Sequence, residues 1–84
     1  MKTLLKFWAP WCNPCLKLAP IVKEVLKEFD DIDLIEVNVD ESVELSTKYK
    51  VRSIPMLILV DNETNTTREI VGLRSKEELK KFLS

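Results

Sequence analysis

Cys12 and Cys15 are the only cysteines in this 84-residue chain, and two residues separate them. They stand in Trp8-Ala9-Pro10-Trp11-Cys12-Asn13-Pro14-Cys15, after a short apolar run and at the head of an amphipathic one. That spacing sets one sulfur at the first helical turn and the other close by on the same helix face. A disulfide can then form and open without unwinding the helix. The first thiol also meets the free N–H groups and partial positive charge of the helix start, which favour thiolate over thiol. Thiolate is the attacking species in disulfide exchange, so a strand–CxxC–helix arrangement predicts reversible dithiol–disulfide chemistry.

Inert core thiols are the plain alternative. Cys15 does lie on the apolar stripe of its helix, but Cys12 sits between Trp11 and Asn13, ahead of the helix body, where packing gives it no role. Structural zinc needs four N or S ligands, and two thiolates without a histidine fall short within one chain, so no metal is expected. Zinc or an iron–sulfur cluster would require ligands from a second chain.

Composition narrows the function further. Thirteen basic and fourteen acidic residues are interleaved for a net charge of −1, which offers no surface for nucleic acid. There is no histidine and only one glycine, Gly72, which excludes a Cys–His dyad, His-containing metal sites and a Gly-rich phosphate loop. Charge interrupts Met1–Lys6 too early for the apolar centre of a secretion signal, and no apolar run is long enough to span a bilayer. The expectation is one domain over residues 1–84, soluble and cytoplasmic, in a reducing compartment where a lone Cys pair is functional rather than a staple.

The elements that must position the cysteines follow from periodicity. Leu4–Trp8 reads as a buried strand closed by Pro10, which pushes Ala9 toward an extended conformation. Cys15, Leu18, Ala19, Val22, Val25, Leu26 and Phe29 repeat at three-and-four spacing and predict a helix ended by Asp30-Asp31. Pro14 falls in its first turn at little cost, whereas Pro20 falls inside and should kink it. Leu34–Val39 is a second strand rich in β-branched residues. Asp40 or Ser42 then caps a short helix through Tyr49. Met56–Val60 is a third strand, Asp61–Asn65 a turn and Thr66–Val71 the returning strand of a hairpin. Ser75-x-x-Glu78 is a capping box ahead of Leu79, Phe82 and Leu83 in a final helix. The order is βαβαββα.

With these elements in place the chain resembles the thioredoxin family over nearly its whole length. Phe7 to Cys15 is similar to the family's active-site segment, Val51-Arg52-Ser53-Ile54-Pro55-Met56-Leu57 to the segment around its cis-proline, and Val71-Gly72 with Ser75 and Leu79 to its last loop and helix. The resemblance implies an α/β fold with a four-stranded mixed sheet in the order 2-1-3-4. Strands 1 and 2 would be parallel, strand 3 antiparallel to 1 and strand 4 antiparallel to 3. Helices 1 and 3 would cover one face and helix 2 the other.

The function so implied is protein-disulfide reduction. Cys12 would be the nucleophile and Cys15 the resolving thiol. Trp11, Asn13, Pro14, Ile54, Pro55 and Gly72 would receive the substrate, Ile54 through its backbone. Trp8, at the strand end, reads as packing. No bound cofactor is needed, and electrons would come from an external reductase, by resemblance an NADPH-dependent flavoprotein. Two other readings stand beside this one: a glutaredoxin-like enzyme reduced by glutathione, and a non-catalytic binding subunit.

Four departures from the family pattern matter. The usual first strand and helix have no counterpart, which leaves Leu34–Val39 as a sheet edge; Asp33, Glu36 and Asp40, in and beside it, predict a monomer. Asn13 stands where a glycine is usual, and Leu16 where a lysine is common. Lys6 occupies the strand position of the family's buried acid, and Glu36 that of the lysine partnering it. The charges are swapped, so Glu36 becomes the candidate proton acceptor for Cys15 and Lys6 its charge partner.

Overall fold

A computed structural model describes residues 1–84 as seven elements. They are β1 (Lys2–Trp8), α1 (Asn13–Leu26), β2 (Ile32–Asn38), α2 (Val43–Lys48), β3 (Met56–Asp61), β4 (Thr66–Val71) and α3 (Lys76–Leu83). The sheet runs β2-β1-β3-β4. β1 and β2 are parallel, and the β1–β3 and β3–β4 pairs are antiparallel. This is the α/β topology expected from the sequence.

Strand alternation sorts the core into two layers. Leu4, Leu57 and Leu59 point to one face and pack against Leu18, Val22 and Val25 of α1 and Leu79 and Leu83 of α3. Leu5, Phe7, Val37, Met56 and Ile58 point to the other. That second face is closed by Tyr49 and Val51, the residues just beyond α2, with the Phe7 and Tyr49 ring centroids 5.9 Å apart. α2 itself buries no residue. Each fully buried aliphatic side chain contributes about 1.5–3 kcal/mol, so the α1 side of the sheet carries most of the cohesion.

Element ends differ from expectation where pairing overrides local composition. β1 starts at Lys2, not Leu4, because Lys2 and Thr3 are zipped between Ile32–Asp33 and Val60–Asp61. β2 is shifted toward the N-terminus for the same reason, ending at Asn38. β3 takes in Asp61, whose carboxylate accepts the backbone N–H groups of Glu63 and Thr64 and so begins the turn. α1 ends at Leu26, and Phe29 keeps its core contact from the following turn rather than from the helix. Pro20 does not break α1, which continues through it. Of the two candidates, Ser42 takes the N-cap position of α2, but its side chain makes no capping hydrogen bond. The capping box of α3 is complete: Ser75 Oγ accepts the Glu78 N–H and Glu78 Oε1 accepts the Ser75 N–H, both at 3.2 Å.

Candidate active site

β1 runs out of the sheet at Trp8 and the chain turns through Ala9–Trp11 into α1. Cys12 is the N-cap of that helix, with extended backbone at φ −94° and ψ 102°. Its Sγ accepts the Cys15 N–H at 3.3 Å, so a sulfur holds the place a serine or aspartate oxygen commonly takes. Pro14, in the first turn, has no N–H to satisfy. Cys12 and Cys15 are joined as a disulfide across Cα atoms 5.3 Å apart. Both cysteines are buried, Cys12 at 6% exposure and Cys15 at 2%. Asn13 and Pro14 are exposed beside them.

A second segment faces the disulfide. The Ile54–Pro55 peptide is cis, and the Ile54 carbonyl oxygen lies 3.8 Å from Cys12 Sγ. Ile54 also packs against Ala9, Cys12 and Cys15. A third segment closes on the second, because the Gly72 N–H donates to the Pro55 carbonyl at 2.8 Å. Gly72 has φ +96°, and a Cβ built there would meet nothing within 4 Å. The left-handed backbone therefore explains this glycine, and close approach does not. Three loops, after β1, before β3 and after β4, thus converge on Cys12.

The two tryptophans divide as expected. Trp8 packs against the Ala9–Cys12–Cys15 cluster, whereas Trp11 is 67% exposed. The Trp11 indole Nε1–H donates to Asp40 Oδ2 at 2.8 Å, which fixes the ring beside Cys12. Sequence reasoning missed this pairing and considered Asp40 as a helix cap and as an edge charge. The signal was there: β1 and β2 are parallel, so the residue just past β2 emerges at the same sheet end as the cysteine loop. Leu16, Val71 and Leu73, chain neighbours of Cys15 and Gly72, are exposed large apolar residues.

Lys6 and Glu36 face each other in register across β1 and β2. Lys6 Nζ lies 3.1 Å from Glu36 Oε2; the Lys6 side chain is 3% exposed and that of Glu36 42%. The swapped pair therefore exists as an ion pair, and the cation is its buried member.

A mixed sheet in this order, a CxxC capping the helix that follows its central strand, and a cis-proline against the first cysteine define a dithiol–disulfide oxidoreductase of thioredoxin architecture. The thioredoxin family model matches residues 1–84. Thioredoxin of Buchnera aphidicola subsp. Acyrthosiphon pisum is 45% identical over 82 residues, covering 95% of this chain and 74% of the relative. Thioredoxin of Bacillus subtilis is 41% identical over 83 residues, covering 96% and 78% respectively. Among solved structures, mitochondrial thioredoxin 3 from Saccharomyces cerevisiae in its oxidized form superposes with a TM-score of 0.86 at 24% identity, over 96% of this chain and 74% of that one. Chloroplastic thioredoxin z gives 0.85 at 23% identity, over 99% and 75%; both likenesses bear on the fold.

The chain belongs to the thioredoxin family. It is a thiol–disulfide oxidoreductase that cycles Cys12 and Cys15 between dithiol and disulfide, with disulfides as substrates and a reductase as electron source in general terms.

Proposed function

We propose that the chain works as a cytoplasmic, monomeric protein-disulfide reductant without a bound cofactor, meeting neither nucleic acid nor membrane. Cys12 thiolate attacks one sulfur of a substrate disulfide, forming a mixed disulfide and releasing the other substrate sulfur as a thiolate that takes a proton from water. Cys15 then attacks Cys12 Sγ, releasing the second substrate thiol and closing Cys12–Cys15. The Cys15 proton passes to Glu36, directly or through water, with Lys6 as charge partner. An NADPH-dependent flavoprotein restores the dithiol.

The observation that supports the assignment of roles is the Ile54 carbonyl 3.8 Å from Cys12 Sγ. It sets the Ile54 backbone beside Cys12 Sγ, where a substrate segment can pair while its disulfide meets Cys12. In this reading Trp11, Asn13, Pro14 and Gly72 border that approach, and Pro55, itself fully buried, holds the Ile54 backbone from behind. No helix is long and apolar enough to cross a membrane.

Insulin reduction tests this reading. The wild type is expected to reduce insulin with NADPH and a thioredoxin reductase, and Cys12→Ser to lose the activity. Turnover supported only by glutathione and glutathione reductase would favour the glutaredoxin-like alternative. Absence of turnover with either donor would favour a binding subunit.

A further inference from the structure

Lys6 is the only charged residue buried in the molecule, at 2% exposure, and disulfide exchange as described assigns it no more than a counterion's part. Its position gives it more. Leu4, Lys6 and Trp8 alternate onto one face of β1, each about 6.6 Å beyond the last at the usual strand rise. Leu4 packs on Leu18, Val22 and Val25 in the body of α1, and Trp8 packs on the Ala9–Cys12–Cys15 cluster at its head. Lys6 lies between, beneath the first turns of α1, on the side of the sheet where Cys15 is buried.

Little else in that layer carries charge. The facing residue of β3 is Leu57, and the residues α1 turns inward are Cys15, Leu18, Val22 and Val25. The first turn of α1 has no acidic residue. Glu36 alone answers the ammonium, and its carboxylate is 42% exposed, where water screens it. The buried side of the pair is thus net positive, on the same face of the sheet as α1.

Reduction changes the charge of the site. Two electrons break the S–S bond and leave one thiolate, plus one thiol that takes a proton from water. The disulfide is neutral. A cation held in a poorly solvated layer favours the anionic form over the neutral one.

We propose that Lys6, held by Glu36, is a positioning residue that biases the Cys12–Cys15 pair toward its reduced form, making the protein a weaker reductant than the same fold with a neutral side chain there. The proposal rests on the dithiol–disulfide cycling assigned above. Glu36 opposes it by drawing part of the ammonium's field toward solvent.

The test is equilibration of the full chain with glutathione, in which two glutathione thiols become one glutathione disulfide as Cys12–Cys15 is reduced. Lys6→Met, near-isosteric and apolar, is expected to shift the equilibrium at least about tenfold toward the disulfide, about 30 mV for a two-electron couple. Glu36→Gln should shift it in the opposite direction. The double variant, which leaves no buried ammonium without a partner and so guards against a folding defect in Glu36→Gln, should match Lys6→Met alone. The pH midpoint of Cys12 alkylation should rise in Lys6→Met. A purely structural salt bridge stabilises both redox forms alike and leaves the equilibrium where it was. Equilibria within twofold of wild type in both single variants, or a shift of Lys6→Met toward the dithiol, would overturn the proposal. Failure of the wild type to cycle at all would instead overturn the reading beneath it.

Discussion

The indole N–H of Trp11 is bonded to the carboxylate of Asp40 at 2.8 Å, across the gap between the cysteine loop and the end of β2. An aromatic ring two-thirds exposed to water has many orientations open to it; this bond selects one and holds a flat apolar surface next to Cys12.

Asp40→Ala should therefore lower kcat/KM for insulin reduction severalfold while changing unfolding free energy by no more than about 0.5 kcal/mol, the usual range for surface substitutions. Asp40→Asn, which keeps an acceptor oxygen, should fall between the two. Steady-state kinetics beside urea unfolding separate the effects. Equal losses in activity and stability would mean the bond serves the fold rather than the site.

β2 is an edge strand, and its outer backbone groups have no partner in the sheet. Asp33, Ile35 and Glu36 are exposed along it. The two carboxylates make edge-to-edge pairing of two copies unfavourable, so sedimentation should show a monomer at micromolar concentration. Asp33→Val, which removes a gatekeeping charge beside Ile35, should promote association. A tight wild-type dimer unaffected by proline in β2 would contradict this account of the edge.

Glu78 is held below the ordinary glutamate range, first by the backbone N–H of Ser75, then by the Ser75 hydroxyl and by Arg74. A carboxylate favoured in the folded state contributes stability above the unfolded-state value, and that contribution is lost as pH falls through the lower folded-state value. Asp61 behaves alike, chiefly through the Glu63 N–H. Glu78→Gln can keep the capping box but not the charge. Its urea midpoint should match wild type more closely at acidic pH than at neutral pH. A constant gap between the two proteins from pH 7 down to pH 3 would rule out Glu78 as a source of acid sensitivity.

Features set by local chemistry were legible in the sequence. The Ser75–Glu78 box, the helical stripe from Cys15 to Leu26 and the β-branched run in β2 each depend on neighbours within a few residues. The cysteine pair was legible from its own spacing, whereas Ile54–Pro55 was legible only through the resemblance to the thioredoxin family, because an X-Pro bond on its own is usually trans. Relationships that depend on pairing across the chain were not. Lys2 and Thr3 become strand because they are hydrogen-bonded between two other strands, not because they are apolar. Asp40 has a composition that fits a cap, an edge charge or an indole acceptor, and only the parallel alignment of β1 and β2 chooses among these. Lys50 adopts φ 54° in the turn after α2, where no residue type in the sequence marks a left-handed position. The Lys6–Glu36 pairing, by contrast, was legible through the resemblance, and the burial of Lys6 with Glu36 left half-exposed follows from β2 being the edge and β1 interior.

The central claim is that Cys12 attacks and Cys15 resolves. Cys15→Ser, mixed with insulin after reduction and desalting, should accumulate a stable mixed disulfide that mass spectrometry of the digest maps to Cys12. Cys12→Ser should accumulate little or none, because its remaining thiol is buried behind the first. Iodoacetamide should label Cys12 first in the reduced wild type, from a pH below that at which a free thiol reacts. A mixed disulfide trapped at Cys15 in Cys12→Ser, with none at Cys12 in Cys15→Ser, would reverse the roles and contradict the account.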